Sequence, residues 1–119
     1  MASTVRPLDT NATAVFDSTG TARLIVGPTI FGEIWRVRRM TVTSDSATDS
    51  DARVYLNAEL DSRLVAGTWS GNRDFNETDI TLQTLDRFIV VWVAGTPGAR
   101  ASFLVQGVTE RRGGSSGIY

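Results

Sequence analysis

Phe88-Ile89-Val90-Val91-Trp92-Val93-Ala94-Gly95-Thr96-Pro97-Gly98-Ala99-Arg100-Ala101-Ser102-Phe103-Leu104-Val105 is the stretch that decides the fold class. Its first six residues are all β-branched or aromatic, which favours a pleated, extended backbone, and the run is too short for a self-burying helix. Gly95-Thr96-Pro97-Gly98 interrupts it with turn-forming residues, after which Ala101, Phe103 and Val105 resume with a period of two. The reading is a pair of strands joined as a hairpin. Phe88, Val90 and Trp92 share one face of the first strand, yet Ile89, Val91 and Val93 make the opposite face apolar too. One face of each strand in a two-layer protein meets water, so that second set is expected under a covering segment or, preferably, against another subunit. Leu104 and Val108 repeat the hint on the outward face of the next strand.

The same signature recurs on both sides of this hairpin. Runs rich in Val, Ile, Thr, Phe and Trp predict strands near 14–16, 21–26, 33–43, 52–57, 63–66, 79–83, 87–94 and 100–108. No segment shows a convincing helical period. About eight short strands in a chain of one-domain length imply an all-β, single-domain antiparallel β-sandwich, jelly-roll-like in character. Asp17-Ser18-Thr19-Gly20 is a second turn, with an Asp able to bond its own backbone and a Gly that accepts positive φ. Within 33–43, Trp35 and Val37 share one phase while Met40 and Val42 share the other. A bulge near Arg38-Arg39 would restore one buried face; the alternative is that the two pairs face different surfaces, one of them an interface. Residues 1–12 are expected as an N-terminal arm, 13–109 as the sandwich, and 110–119 as a Gly/Ser-rich C-terminal tail.

Composition narrows the chemistry. The chain has no histidine, cysteine or lysine, and all of its 12 basic residues are arginine. The usual proton shuttle, the usual activated nucleophiles and most zinc ligands are therefore missing. A carboxylate-only hydrolase remains formally open, but nothing in the spacing of Glu33, Glu59, Asp74 and Glu77 selects a pair. The expectation is a protein that is not an enzyme and takes no cofactor. A net charge of −1 gives no general drive toward nucleic acid or anionic membrane, so neither is expected as a partner. The N-terminus lacks the apolar stretch of a secretory signal, and no run approaches the length of a membrane span.

Several clusters remain to be placed. Asp45, Asp49 and Asp51 lie in a Ser/Thr-rich run that could offer calcium some oxygen ligands but lacks the glycine and closing glutamate of a helix-loop-helix site. It is read as a solvated loop, with calcium left open. Trp69, followed by Asn72, Arg73 and Asp74, could present an aromatic platform with polar edges to a glycan. Arg36 and Arg38 on one strand, and Arg111 and Arg112 at the start of the tail, suit interfaces, because a planar guanidinium pairs bidentately with carboxylates. The candidate interface set is Arg36, Arg38, Ile89, Val91, Val93, Leu104, Arg111, Arg112 and Tyr119.

Gly27-Pro28, Gly32-Glu33-Ile34-Trp35-Arg36-Val37-Arg38-Arg39-Met40-Thr41-Val42-Thr43, Val54-Tyr55, Thr68-Trp69-Ser70-Gly71-Asn72, Val91-Trp92-Val93-Ala94-Gly95, Gly98-Ala99 and the Val105 to Gly107 segment form a loose pattern of Trp, Gly and Val. In this pattern, covering about Gly27 to Val108, the chain resembles a family of small virion proteins from tailed phages of actinobacteria. The resemblance implies a β-sandwich module on the particle surface, either a head decoration (cement) protein or a minor tail protein, with no catalytic residues to carry over. It implies a virion location. The expected partners are other copies of the chain, as a trimer or larger homo-oligomer, and the major head or tail proteins. A carbohydrate-binding adhesion module recognising a cell-surface glycan is the alternative, resting on Trp69, Asn72, Arg73 and Asp74.

Overall fold

A computed structural model of the chain describes residues 3–112, except for the side chains of 3, 4, 67–69 and 112. It holds β1 (Ser3–Val15), β2 (Ala22–Val26), β3 (Glu33–Ser44), β4 (Asp51–Leu56), β5 (Leu64–Ser70), β6 (Arg73–Leu82), β7 (Phe88–Val93) and β8 (Arg100–Arg112), with one short 3-10 turn at Asp61–Arg63. No helix among the described residues is long and apolar enough to cross a membrane. Two four-stranded sheets form, ordered β1-β8-β3-β6 and β2-β7-β4-β5, and each strand pairing is antiparallel. The all-β antiparallel expectation therefore holds.

The hairpin expected at 88–105 does not. β7 pairs with β2 and β4, whereas β8 pairs with β1 and β3, so Gly95-Thr96-Pro97-Gly98 carries the chain between sheets. A tight hairpin is locked by a two-residue turn of primed type. Here the connection is longer, begins at Ala94 with φ 64°, and folds over the buried Phe16 ring. Gly95 N–H donates to the Gly20 carbonyl at 3.0 Å, and a Cβ on Gly95 would lie 2.2 Å from the Phe16 ring. Asp17-Ser18-Thr19-Gly20 likewise crosses from β1 to β2. Residues joined by a turn are thus stacked across the core, not paired along an edge, and β4–β5 is the consecutive pair that does lie side by side.

Residues 3–12, expected as an arm, belong to β1, and 110–112 extend β8. The two strands stay in unbroken register from Ser3↔Arg112 to Val15↔Arg100. Leu8 is buried, and Ala12 and Ala14 pack against the core, which gives this polar-looking segment an inward face of small residues.

β3 carries the bulge. Its register slips between Val37 and Arg39 against both neighbours, and Trp35, Val37, Met40 and Val42 are all buried. The extra residue is Arg38, which restores the inward phase. Gly107 of β8 lies opposite Val37, where a Cβ would come within 2.0 Å of the Arg36 carbonyl; the bulge draws the two backbones so close that only glycine fits. The two sheets share one core, including Trp92, Phe88 and Val90 from one and Phe103, Val105 and Leu82 from the other, with the Phe88 and Phe103 rings edge-to-face at 5.9 Å.

Candidate interaction surfaces

The alternation that builds the core fixes what each sheet shows outside. On the first sheet, register places Asn11, Leu104, Thr41 and Phe75 in one row, and Asp9, Gln106, Arg39 and Glu77 in the next. Arg36 is half-buried and donates from Nη2 to Glu110 Oε1 at 3.1 Å. Arg38, at the bulge, is exposed with Nη1 3.6 Å from Asp79 Oδ1. The Arg39 guanidinium stacks over the Phe75 ring, 4.1 Å from its centroid. The arginine stripe read from sequence thus exists, but Arg36 and Arg38 are each matched by a carboxylate and Arg39 is spread over an aromatic ring. Leu104 is half-buried in the same face.

The second sheet differs. Its outer face runs Ile25, Ile89, Tyr55, Leu64 across all four strands. Ile25 is 63% exposed and Leu64 41%, while Tyr55 is nearly buried between them. The adjoining row is Arg23, Val91, Arg53, and Val93, 43% exposed, stands opposite Asp51. Arg23 forms a two-pronged ion pair with Glu59, from the connection after β4, so that segment folds back beside the sheet. The pair raises the Arg23 guanidinium above its ordinary range, mainly through the hydrogen bond to Glu59. Ile89 and Val91 are half-buried and Val93 exposed, so the outward face of β7 is only partly covered by the chain itself.

One end of the molecule is closed by polar bonds. Asn72 Oδ1 accepts from Ser44 Oγ at 2.8 Å and from Ser50 Oγ at 2.6 Å, and its Nδ2 donates to the Thr48 carbonyl at 3.0 Å. Ser46 Oγ accepts from Thr96 N–H at 2.9 Å, and Asp45 Oδ1 accepts from Arg100 N–H at 2.6 Å. The acidic run 45–51 is therefore stitched to the β7–β8 connection, and no three acidic side chains converge there among the described residues. Trp92 Nε1 donates to the Gly71 carbonyl at 3.1 Å beneath this cap. In the β1–β2 turn the Thr19 hydroxyl, followed by the backbone N–H groups of Thr21 and Thr19, holds the Asp17 carboxyl below its ordinary range.

The opposite end is apolar at its tips. Ile30 and Phe31 before β3, and Leu85 before β7, are exposed, and Leu85 takes a φ of 77° that a bulky residue seldom adopts. Thr84 Oγ1 ties the two connections together, accepting from Gly32 N–H at 3.1 Å and donating to the Glu33 carbonyl at 3.1 Å. Nearby, Arg6, Glu33, Thr109 and Arg111 line a cleft of about 180 Å³.

The expected sites thus separate. Arg36, Arg38 and Leu104 lie on one outer face, Ile89, Val91 and Val93 on the other, and Arg111 at one end. Arg112 closes β8, but its side chain, that of Trp69, and Tyr119 lie outside the described residues. Trp69 belongs to β5, not to a turn, and the polar atoms of Asn72 are engaged within the molecule. Arg73 and Asp74 open β6 beside Phe75, and the Asp74 carboxylate accepts from Phe75 N–H at 2.8 Å. Outside the expected set lie Ile25, Tyr55 and Leu64, which only the cross-strand register aligns with Ile89, and Ile30-Phe31, two large apolar residues in a segment that opens on Gly27-Pro28. Comparison with protein-family models, curated proteins and solved structures gives no match.

Proposed function

We propose that the chain is a non-enzymatic structural protein of a phage virion, a head decoration protein or a minor tail protein, acting as a homo-oligomer of three or more copies. The observation that carries the reading is the outer face of the second sheet, where Ile25, Ile89, Val91, Val93 and Leu64 offer an apolar shelf bordered by Arg23 and Arg53. Docking that shelf on the underlying head or tail protein would gain on the order of 1 kcal/mol for each half-exposed aliphatic group, at about 25 cal/mol per Å². The sequence resemblance over Gly27 to Val108 supplies the particle as the setting. Absence of turnover is supported by the residue set, and by carboxylates that are already engaged: Glu59 with Arg23, and Glu33 with the Thr109 hydroxyl at 3.3 Å.

We also infer that the two sheets form a jelly roll. The support is the strand order, β1-β8-β3-β6 against β2-β7-β4-β5, in which all but one connection crosses between sheets. Eight strands so wound recur in capsid proteins.

The test is co-sedimentation of the purified chain with head shells and, separately, with tail assemblies. One of the two is expected to retain it, and a double variant Ile25→Lys, Val93→Lys is expected to bind at least tenfold more weakly. Binding to neither, or equal binding by the variant, sinks the reading.

A further inference from the structure

We propose that two copies of this chain pair through the edge of β1 that no other described strand covers, antiparallel and centred on Thr10, joining their first sheets into one continuous sheet. This goes beyond the function above by naming the contact between copies; it makes that oligomer a multiple of two-fold pairs and does not depend on the particle.

The four sheet edges are unequally defended. Edge strands present unpaired backbone groups, and proteins blunt them with charge, shortness, bulges or proline. β6 carries Arg73, Asp74, Glu77 and Asp79 within ten residues and lies against the bulge of β3. β2 is only five residues long and includes Arg23, while β5 changes register twice against β4. β1 is thirteen residues long in unbroken register, and between Val5 and Val15 it holds two charges of opposite sign, Arg6 and Asp9. Pro7 is its strongest deterrent.

The hydrogen-bond parity shows which groups face outward. Phe16 N–H donates to the Ala99 carbonyl at 2.9 Å, whereas Asp17 N–H turns the other way, to the Thr21 carbonyl at 2.9 Å. Alternation along an antiparallel ladder then points the even-numbered residues of β1 toward β8 and leaves Val5, Asp9, Asn11, Thr13 and Val15 with backbone groups aimed at the open edge. Pro7 falls in the same odd set, where its missing N–H takes nothing from the pairing with β8 but removes one hydrogen bond, to the Thr13 carbonyl, at each of two symmetric positions of the new pairing.

Sequence symmetry then selects the register. With Thr10 at the two-fold axis, Val5 of each copy stands opposite Val15 of the other, and these two valines are 61% and 55% exposed. Asp9 meets the Asn11 amide, which can donate to it, and Pro7 meets Thr13. On the inward face Leu8 meets Ala12, large against small, so the core continues across the junction. Centring on Asp9 would oppose two carboxylates, and centring on Asn11 would leave Val5 unmatched. The interface is isologous and closes on itself.

The chain has no cysteine, so a single introduced thiol reads the register directly. Residues paired at the axis have Cα atoms about 4.5–5.5 Å apart, within reach of a disulfide. Sedimentation of the full chain is expected to show even-numbered oligomers. Thr10→Cys is expected to yield a disulfide-linked dimer on mild oxidation, and Asp9→Cys, displaced from its own copy, much less. Val5→Lys with Val15→Lys is expected to weaken the pairing at least tenfold while leaving the melting transition of the chain in place. A chain that stays monomeric at all concentrations overturns the proposal, as does an oligomer in which Thr10→Cys fails to crosslink or Asp9→Cys crosslinks equally well. A monomer that still binds head or tail assemblies removes the pairing and the oligomer and leaves only the attachment to the particle; a crosslinked pair that binds neither does the reverse.

Discussion

The two outer faces of this molecule are built on similar cores and treat water in opposite ways. β3 carries Arg36, Arg38 and Arg39 among its outward positions, two of them paired with Glu110 and Asp79, while β7 spends its own on Ile89, Val91 and Val93. Isolated exposed aliphatic residues are ordinary on protein surfaces, but a largely apolar row running across every strand of one sheet, with polar groups abundant on the other, is not. The difference teaches that the second sheet, not the arginine stripe, is the face with most to gain from contact. The stripe is already satisfied internally.

Deleting Arg38 should break the contrast most completely. Without the extra residue Met40 and Val42 turn outward and the arginines turn inward, so a cooperative melting transition is expected to vanish; Arg38→Ala should leave it within about 0.5 kcal/mol. A deletion variant that melts like the parent would refute the bulge as the device that sets the face. Next in size is Tyr55→Ala, which removes the large side chain buried at the centre of the apolar row and is expected to cost about 2–4 kcal/mol in chemical denaturation. The corresponding loss on the first sheet, Arg36→Ala, should cost no more than about 1 kcal/mol, because the pair with Glu110 is partly exposed. If those two costs were reversed, the first sheet would be the one held by its outer face. The smallest effect belongs to the turn between the sheets. The folded Asp17 carboxyl titrates below its unfolded value of 3.8, so its stabilisation is present above that pH and lost as pH falls through the folded value. Asp17→Asn should therefore remove a small acid-dependent part of stability, visible in melting curves between pH 5 and 2 on the order of the carboxylate range, and should leave the neutral-to-alkaline slope unchanged.

Much of this was legible in the residues, for physical reasons that differ from place to place. Strand β7 announces itself because six β-branched or aromatic residues have no better conformation. The bulge shows in the phase of Trp35 and Val37 against Met40 and Val42, and burial admits one phase only. β1 was hidden because its inward face, apart from Leu8, is Thr10, Ala12 and Ala14, small groups that make no apolar alternation, and its order comes from pairing with β8. β6 was caught only at its end, since Asp74, Asn76, Glu77 and Asp79 depress local propensity. The connection at Gly95 to Gly98 was misjudged because turn chemistry is the same whether the chain returns beside itself or crosses the core. As for surfaces, sequence marks Ile89, Val91 and Val93 as outward, but Ile25 and Leu64 join them only through register with strands distant in the chain.

The position of β8 has a consequence for how the protein is made. β8 lies between β1 and β3 for almost its whole length, and it is the last of the described strands in chain order. A ribosome adding about 5–20 residues per second delivers it on the order of 5–20 s after β1 has emerged. Throughout that interval β1 has no partner within the first sheet, and the apolar residues of β3 have no neighbour on that side. Closure of the first sheet around β8 therefore waits on the delivery of residues 100–112.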